Sequence, residues 1–269
     1  MSGSVSVNWF IGIALFTVLA WLVGVRLGQR SAWTARLTIG LGVALMFGWG
    51  WLIRHPATAV SVIPVWLLSW IEGVGGVPLF MMILGAGWAR TELPRQRMVI
   101  AWAMMFGTIY FVNGGMWMLQ NTPTAVMGQS VDPRDIRQSQ DYSCVPAACA
   151  TALNLLGVSS TEMQMAELTQ TRPGTGATMI RALNGLEQRL RGGKLRPVLV
   201  EPSLEDIASL PLPALTPLQY EATRRHMVVI SRVNRQGFWI MDPMDGLLFF
   251  TFNEIRPHFR NQVILFESR

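Results

Sequence analysis

Three side chains of this 269-residue chain have the chemistry for acyl transfer if the fold brings them together: the Cys144 thiol, the His226 imidazole and the Asp242 carboxylate. A cysteine attacks a carbonyl carbon as its thiolate, and the unpaired N–H groups and dipole at a helix N-terminus favour that anion. Cys144 stands immediately before Val145–Leu156, a run rich in helix formers, apolar on a broad face and closed by Gly157, so the sequence places it at a helix start. His226 opens the apolar, β-branched run Met227–Ile230, a strand start from which an imidazole can serve as base. Asp242 ends the next such run, where it can hold the second ring nitrogen and fix the tautomer. Spacing alone does not establish contact, and a buried inert thiol is the commoner fate of a free cysteine.

Other candidates read more plainly. Asp245, in the turn pair Asp245-Gly246, is a second acid that could orient the imidazole. Cys149 falls on a different face of the helix from Cys144, which argues against a disulfide or a shared metal site between them and marks it as core. His258, in Arg256-Pro257-His258, reads as a surface helix residue. The two cysteines form no C-x-x-C pair, so neither a metal nor a cofactor is expected.

The elements that must position these residues occupy 122–269, beyond a composition change at Gln120-Asn121-Thr122-Pro123 and a loop at Asp132-Pro133. Three helices come first. After the Cys144 helix, Ser159 and Glu162 have capping-box spacing for a helix through Leu168, and a third helix runs Met179–Leu190, stopped by Gly192-Gly193. The period then switches to short apolar runs at 197–200, 227–230, 238–241, 248–250 and 263–266, separated by turn signals. Helices followed by strands predict an α+β domain, large enough for its own core.

Residues 1–121 are different. Over the whole chain 51% of residues are hydrophobic and 14% charged, against about 25% charged in ordinary soluble domains. The first half carries seven Arg, no Lys and two acids, and ten of the eleven Trp. Uncharged apolar runs at 7–25, 37–53 and 98–119, with an irregular stretch at 62–89, predict about four transmembrane helices of the roughly 20 residues a bilayer requires. The stretch 62–89 is interrupted by Glu72-Gly73-Val74-Gly75-Gly76 and Pro78, so it is one irregular span or an interfacial piece plus a span, and a five-span count is the alternative. Glu72 reads as interfacial rather than as an intramembrane functional acid. With four spans, the cluster Arg26, Arg30 and Arg36 and the cluster Arg90, Arg95 and Arg97 share one side. The positive-inside bias puts that side in the cytoplasm and the second domain outside a bacterial inner or plasma membrane. Arginines scattered between apolar runs form no single basic polar face, which excludes nucleic-acid binding as the function.

A family resemblance reaches the chemical residues together. Gln138-Ser139-Gln140-Asp141-Tyr142-Ser143-Cys144-Val145-Pro146-Ala147-Ala148, then His226–Ile230, then Asp242-Pro243-Met244-Asp245-Gly246 resemble the papain-like cysteine peptidases that remove double-glycine leaders from bacteriocin precursors. Thr171–Thr175 also resembles a segment of these domains. The resemblance covers most of 134–266. It implies a papain-like α+β fold in which Cys144 is nucleophile, His226 base, Asp242 its orienting acid and Gln138 part of the oxyanion hole. The chain departs from the family in having Val145-Pro146 where many members have glycine after the cysteine, and in placing the domain after membrane helices. It contains no G-x-x-x-x-G-K-[ST] phosphate loop, so any transport would fall to a separate transporter. The expectation is a membrane-anchored cysteine endopeptidase acting on a peptide or protein at the lipid bilayer; the alternative is a catalytically silent peptide-binding module of a secretion or envelope system.

Overall fold

The computed structural model describes residues 2–120, 134–219 and 225–269, with residues 2–5 as backbone alone. The expected boundary near residue 122 and the Asp132-Pro133 loop lie outside the described residues. The chain divides into two compact units, one formed by Met1–Val62 and Trp70–Gln120, the other by Ile63–Ser69 and Asn121–Arg269.

The helices up to residue 120 are α1 (Ser2–Arg30), α2 (Ala32–Arg54), α3 (Pro56–Val62), α4 (Val65–Ile71), α5 (Val77–Trp88) and α6 (Pro94–Gly115), closed by a 3-10 turn at Met116–Leu119; α4 is divided between the units and the rest form the first. The helices break where local chemistry dictates. The Ser31 hydroxyl accepts the Thr34 N–H at 3.0 Å, starting α2, and Pro56 follows its end at His55. Three helices, Ser6–Arg30, Ala32–Arg54 and Pro94–Leu119, are long and apolar enough to cross a membrane. Their apolar side chains point outward, Phe16, Leu41, Phe47 and Phe106 among them.

The stretch 62–89 contains two short helices, α4 and α5, separated by the Glu72–Gly76 turn. The 12-residue α5, about 18 Å long, is the enclosed one: it packs against α1, α2 and α6. Glycine makes that enclosure possible. Gly24 and Gly28, four apart on α1, lie on the Met82 and Ala86 backbone, and Gly85 of α5 lies on the Trp21 carbonyl, where an added methyl would overlap main chain.

The second unit opens with α7 (Cys144–Leu155), α8 (Glu162–Leu168) and α9 (Met179–Arg189). Its capping box is Thr161 with Gln164 rather than the expected Ser159 with Glu162. The register moves because Ser159 and Ser160 are committed elsewhere: the Ser159 carbonyl accepts Arg189, and Ser160 pairs with Asn154.

Six strands follow, β1 (Leu195–Val200), β2 (Ala214–Gln219), β3 (Arg225–Val233), β4 (Gly237–Asp242), β5 (Gly246–Thr251) and β6 (Val263–Ser268), with a short helix α10 (Phe252–Ile255) before the last. They form one antiparallel sheet of order β1-β6-β2-β3-β4-β5. β2 was not among the five expected runs, because Pro213 and Pro217 read as punctuation. Pro217 is tolerated since β2 meets β6 through the single pair Leu215–Ile264 and pairs with β3 along its length.

One face of the sheet builds the core from Leu218, Val228, Ile230, Phe238, Ile240, Ile255, Phe259 and Val263. Each such side chain contributes about 1.5–3 kcal/mol on burial. Helix α7 packs on β3, and Met227 and Val229, alternating with the core residues, are buried as well. That packing sets the start of α7 beside the start of β3.

Candidate active site

Cys144 is the first residue of α7. The turn before it is locked by Ser143, whose Oγ donates to the Gln140 carbonyl at 3.0 Å and accepts the Gln140 N–H at 3.1 Å. Ser143 is thereby occupied and makes no side-chain cap to α7, so the first-turn N–H groups are left to face an anion at Cys144. Cys144 is partly exposed, whereas Cys149, one and a half turns on, is fully buried. Burial, and secondarily the Cys144 sulfur, push the Cys149 thiol well above its ordinary value, so it is not a nucleophile.

β3 delivers the base. His226 Nε2 lies 2.8 Å from Asp242 Oδ1, and the imidazole shares the lining of one cleft with Cys144. With Nε2 engaged by the carboxylate, Nδ1 is the nitrogen left for the sulfur. Burial works against the imidazolium, but the Asp242 hydrogen bond and the Cys144 sulfur outweigh it and raise the His226 pKa to about 9.

β4 delivers the acid. Asp242 is the last residue of β4, and the turn after it folds back so that Oδ1 also accepts the Met244 N–H at 2.7 Å and the Asp245 N–H at 3.4 Å. Burial would raise the Asp242 carboxyl, yet the hydrogen bond and charge of His226, with those two N–H groups, hold it below the usual carboxylate value. Asp245, the other candidate acid, is exposed and supplies only this N–H. The structure thus pairs His226 with Asp242 and sets Cys144 and His226 along one cleft.

A cleft of about 600 Å³ opens over Cys144 and His226, walled by Gly174, Gly176, Ala177 and Pro217. The glycine wall is the Thr171–Thr175 segment and its return, where Arg172 bridges Gly176 in a tight antiparallel loop. Gly174 and Gly176 have φ of +74° and +64°, and a methyl on Gly176 would press on the Tyr142 carbonyl two residues before Cys144. The backbone there comes close because it carries no side chain.

Gln138 is not among the residues lining the cleft. Its N–H donates to the Pro243 carbonyl at 2.9 Å, its Nε2 donates to the Gln140 carbonyl at 2.9 Å, and its Oε1 is buried without a partner. It is tied to the segments that carry Cys144 and Asp242, one turn before the first and one residue after the second. His258 is in a turn after α10 instead of a surface helix, half-buried, with Nδ1 3.0 Å from the Gln219 carbonyl. Pro217 in the cleft wall is not legible from the sequence, since it depends on recognising β2.

Residues 134–269 match the model of the peptidase C39 family. The chain belongs to the peptidase C39 family. An uncharacterized protein of Methanothermobacter marburgensis is 35% identical over 111 residues, 41% of this chain and 72% of that protein. The peptidase domain of Streptococcus ComA, a bi-functional ABC transporter involved in a quorum sensing pathway, is similar at 15% identity and a TM-score of 0.42, over 54% of this chain and 98% of that one. A double glycine motif protease from an AMS/PCAT transporter, solved in complex with the leader peptide, is similar at 17% identity and 0.42, over 54% and 96%. The C39 match covers Cys144, His226, Asp242 and the whole sheet that positions them.

Proposed function

We propose that this C39 domain is a working cysteine endopeptidase, anchored in a membrane by the helical unit. The observation that carries the reading is the 2.8 Å contact of His226 Nε2 with Asp242 Oδ1 on an imidazole that lines one cleft with Cys144, the first residue of α7. An inert binding domain has no need of that arrangement.

In the proposed reaction the Cys144 sulfur attacks the scissile carbonyl carbon, forming a C–S bond as the carbonyl becomes an oxyanion. The N–H groups at the start of α7 face that charge, and the resemblance adds the Gln138 amide, which lies off the cleft lining with one Nε2 hydrogen on the Gln140 carbonyl and the second left to turn toward the oxyanion. The C–N bond breaks as the imidazolium gives its proton to the leaving amine, and the neutral imidazole then takes a proton from the water that hydrolyses the thioester. Asp242 holds the ring in one tautomer throughout. The resemblance to leader peptidases makes a peptide with two glycines before the cut the first substrate to try, and the glycine-walled cleft is compatible with it. The helical unit anchors the enzyme through α1, α2 and α6 with the stretch 62–89 as a fourth crossing, and on that four-span count the two arginine clusters favour the extracytoplasmic side for the domain. A transporter acting on the same peptide is the partner this reading favours.

The test is the rate of Cys144 alkylation by iodoacetamide from pH 4 to 9, read by mass spectrometry on the full chain and on His226→Ala. Rapid labelling well below pH 8 that vanishes in His226→Ala is the expected result. Identical profiles in the two proteins would overturn the peptidase reading and leave a peptide-binding module as the better account.

A further inference from the structure

We propose that Glu162 is a positioning residue for this site: it fixes the turn that carries the Gln138 amide. The inference rests on the peptidase reading above. Glu162 is 2% exposed, although it is a carboxylate at the first position of α8. Burying an anion is unfavourable unless it is hydrogen-bonded to something that requires it. Glu162 is not needed to start its own helix, because Thr161 takes the Gln164 N–H and the Gln164 side chain takes the Thr161 N–H. Its Oε1 instead accepts the Ser139 N–H at 3.0 Å, while its Oε2 has no partner. A carboxylate acceptor makes a hydrogen bond about twice as strong as a neutral one does.

Ser139 follows Gln138, and all three N–H groups of this turn are assigned. Gln138 donates to the Pro243 carbonyl, Ser139 to Glu162, and Gln140 to Ser143 Oγ. Pro243 is the neighbour of Asp242 and Ser143 the neighbour of Cys144, so two of the anchors belong to the site's own segments. Glu162 is the third and comes from a different helix. The segment before Gln138 is held as well, by the Ile136 N–H on Thr151 Oγ1 and by Arg137 on the Met244 carbonyl, so Glu162 is the anchor that keeps Ser139, directly after Gln138, from pivoting. Pivoting would swing the Gln138 amide away from the developing oxyanion without disturbing the placement of Cys144 beside His226.

The experiment compares Glu162→Ala, Glu162→Gln and Gln138→Ala in the full chain, using a peptidyl-Gly-Gly-aminomethylcoumarin substrate and, in parallel, iodoacetamide labelling of Cys144. Glu162→Ala is expected to lower kcat about 10²-fold, the scale of a lost oxyanion donor, with KM and the alkylation rate unchanged. Glu162→Gln, which keeps an acceptor oxygen, should restore kcat to within about 3-fold, a residual of the size a weaker neutral hydrogen bond leaves. Combining Glu162→Ala with Gln138→Ala should be no slower than Gln138→Ala alone, because both act on one group. If Glu162→Ala loses its cooperative melt, Glu162→Leu, which fills the space but accepts nothing, is expected to give the same kcat loss. Multiplicative losses in the double variant, or slowed alkylation, would overturn the positioning role and leave the peptidase reading intact. A wild-type chain that labels without His226 dependence and does not cleave would overturn both.

Discussion

Phe47 in α2 and Phe238 in β4 are the same residue used in opposite ways: Phe47 is 78% exposed and Phe238 is completely buried. The contrast runs through the whole of each unit. In the helical unit many large apolar side chains face outward, and beside a small core that includes Met81, Phe111 and Trp117 the glycines Gly24, Gly28 and Gly85 let backbone approach backbone. In the C39 domain the apolar residues form the core and the cleft receives the polar groups. The proposed membrane anchoring accounts for such an inversion by two solvents: where the surroundings are as apolar as leucine, association relies on close packing, and in water it relies on hiding hydrocarbon. The proposed catalytic chemistry falls to the C39 domain, where helix and strand ends bring a thiol, an imidazole and a carboxylate together.

The largest effects should come from the pair of His226 and Asp242. Asp242→Asn keeps the shape but removes the charge that holds the imidazole, and kcat on the Gly-Gly peptide should drop about 10⁴-fold with KM little altered. A variant that retains more than a tenth of wild-type kcat would mean that Asp242 does not orient His226. Next comes the direct comparison of the two phenylalanines. Phe238→Ala should cost about 3–5 kcal/mol and be visible as an early melt of the C39 domain, whereas Phe47→Ala should shift the melt in detergent by less than about 0.5 kcal/mol. Equal losses would refute the two-solvent contrast.

Gly85→Leu should cost about 1–3 kcal/mol in the helical unit, since its new side chain overlaps the Trp21 carbonyl, while Cys144 still labels at the wild-type rate in detergent. Loss of labelling in a folded Gly85→Leu protein would show that the chemistry depends on the helices after all.

The pH dependence is smaller and has a definite sign. The His226 pKa is raised to about 9 from an ordinary value of about 6.5, so its contribution to stability is complete below about pH 6.5 and is lost as pH rises through 9. Asp242 is shifted downward, so its contribution is present above about pH 3.9 and is lost as pH falls through its native value. The domain should melt progressively earlier between pH 7 and 10, and His226→Gln should flatten that decline; a slope unchanged by the substitution would rule out the ion pair as its cause. The smallest effect is at the second thiol: Cys149 should resist iodoacetamide in the native protein and label only on unfolding.

The candidate residues were legible because each sits beside strong local punctuation. Gly157 closes the Cys144 helix, a β-branched run follows His226, and Asp242-Pro243 is a turn. The capping box of α8 was misplaced by two residues because a pattern of Ser and Glu cannot reveal that Arg189 and Asn154 already occupy that loop. β2 was missed because two prolines look like breaks until the neighbouring strand shows which N–H groups the sheet does not need. Glu162 could be read only as a capping residue, since its partner Ser139 lies 23 positions away.

What the sequence determined by itself was everything set by short-range forces and composition: an apolar helical half with outward arginines between its runs, a helix beginning at Cys144, a strand beginning at His226 and a turn after Asp242. Tertiary structure decided which of these meet. Antiparallel pairing of β3 with β4, whose register shifts between Ile230 and Arg232, together with the packing of α7 on β3, puts Asp242 rather than Asp245 on His226 and His226 beside Cys144. Bringing together residues 16 and 82 positions apart depends on closing long loops, whose entropy is offset only by the whole buried core and by no local pattern of residues.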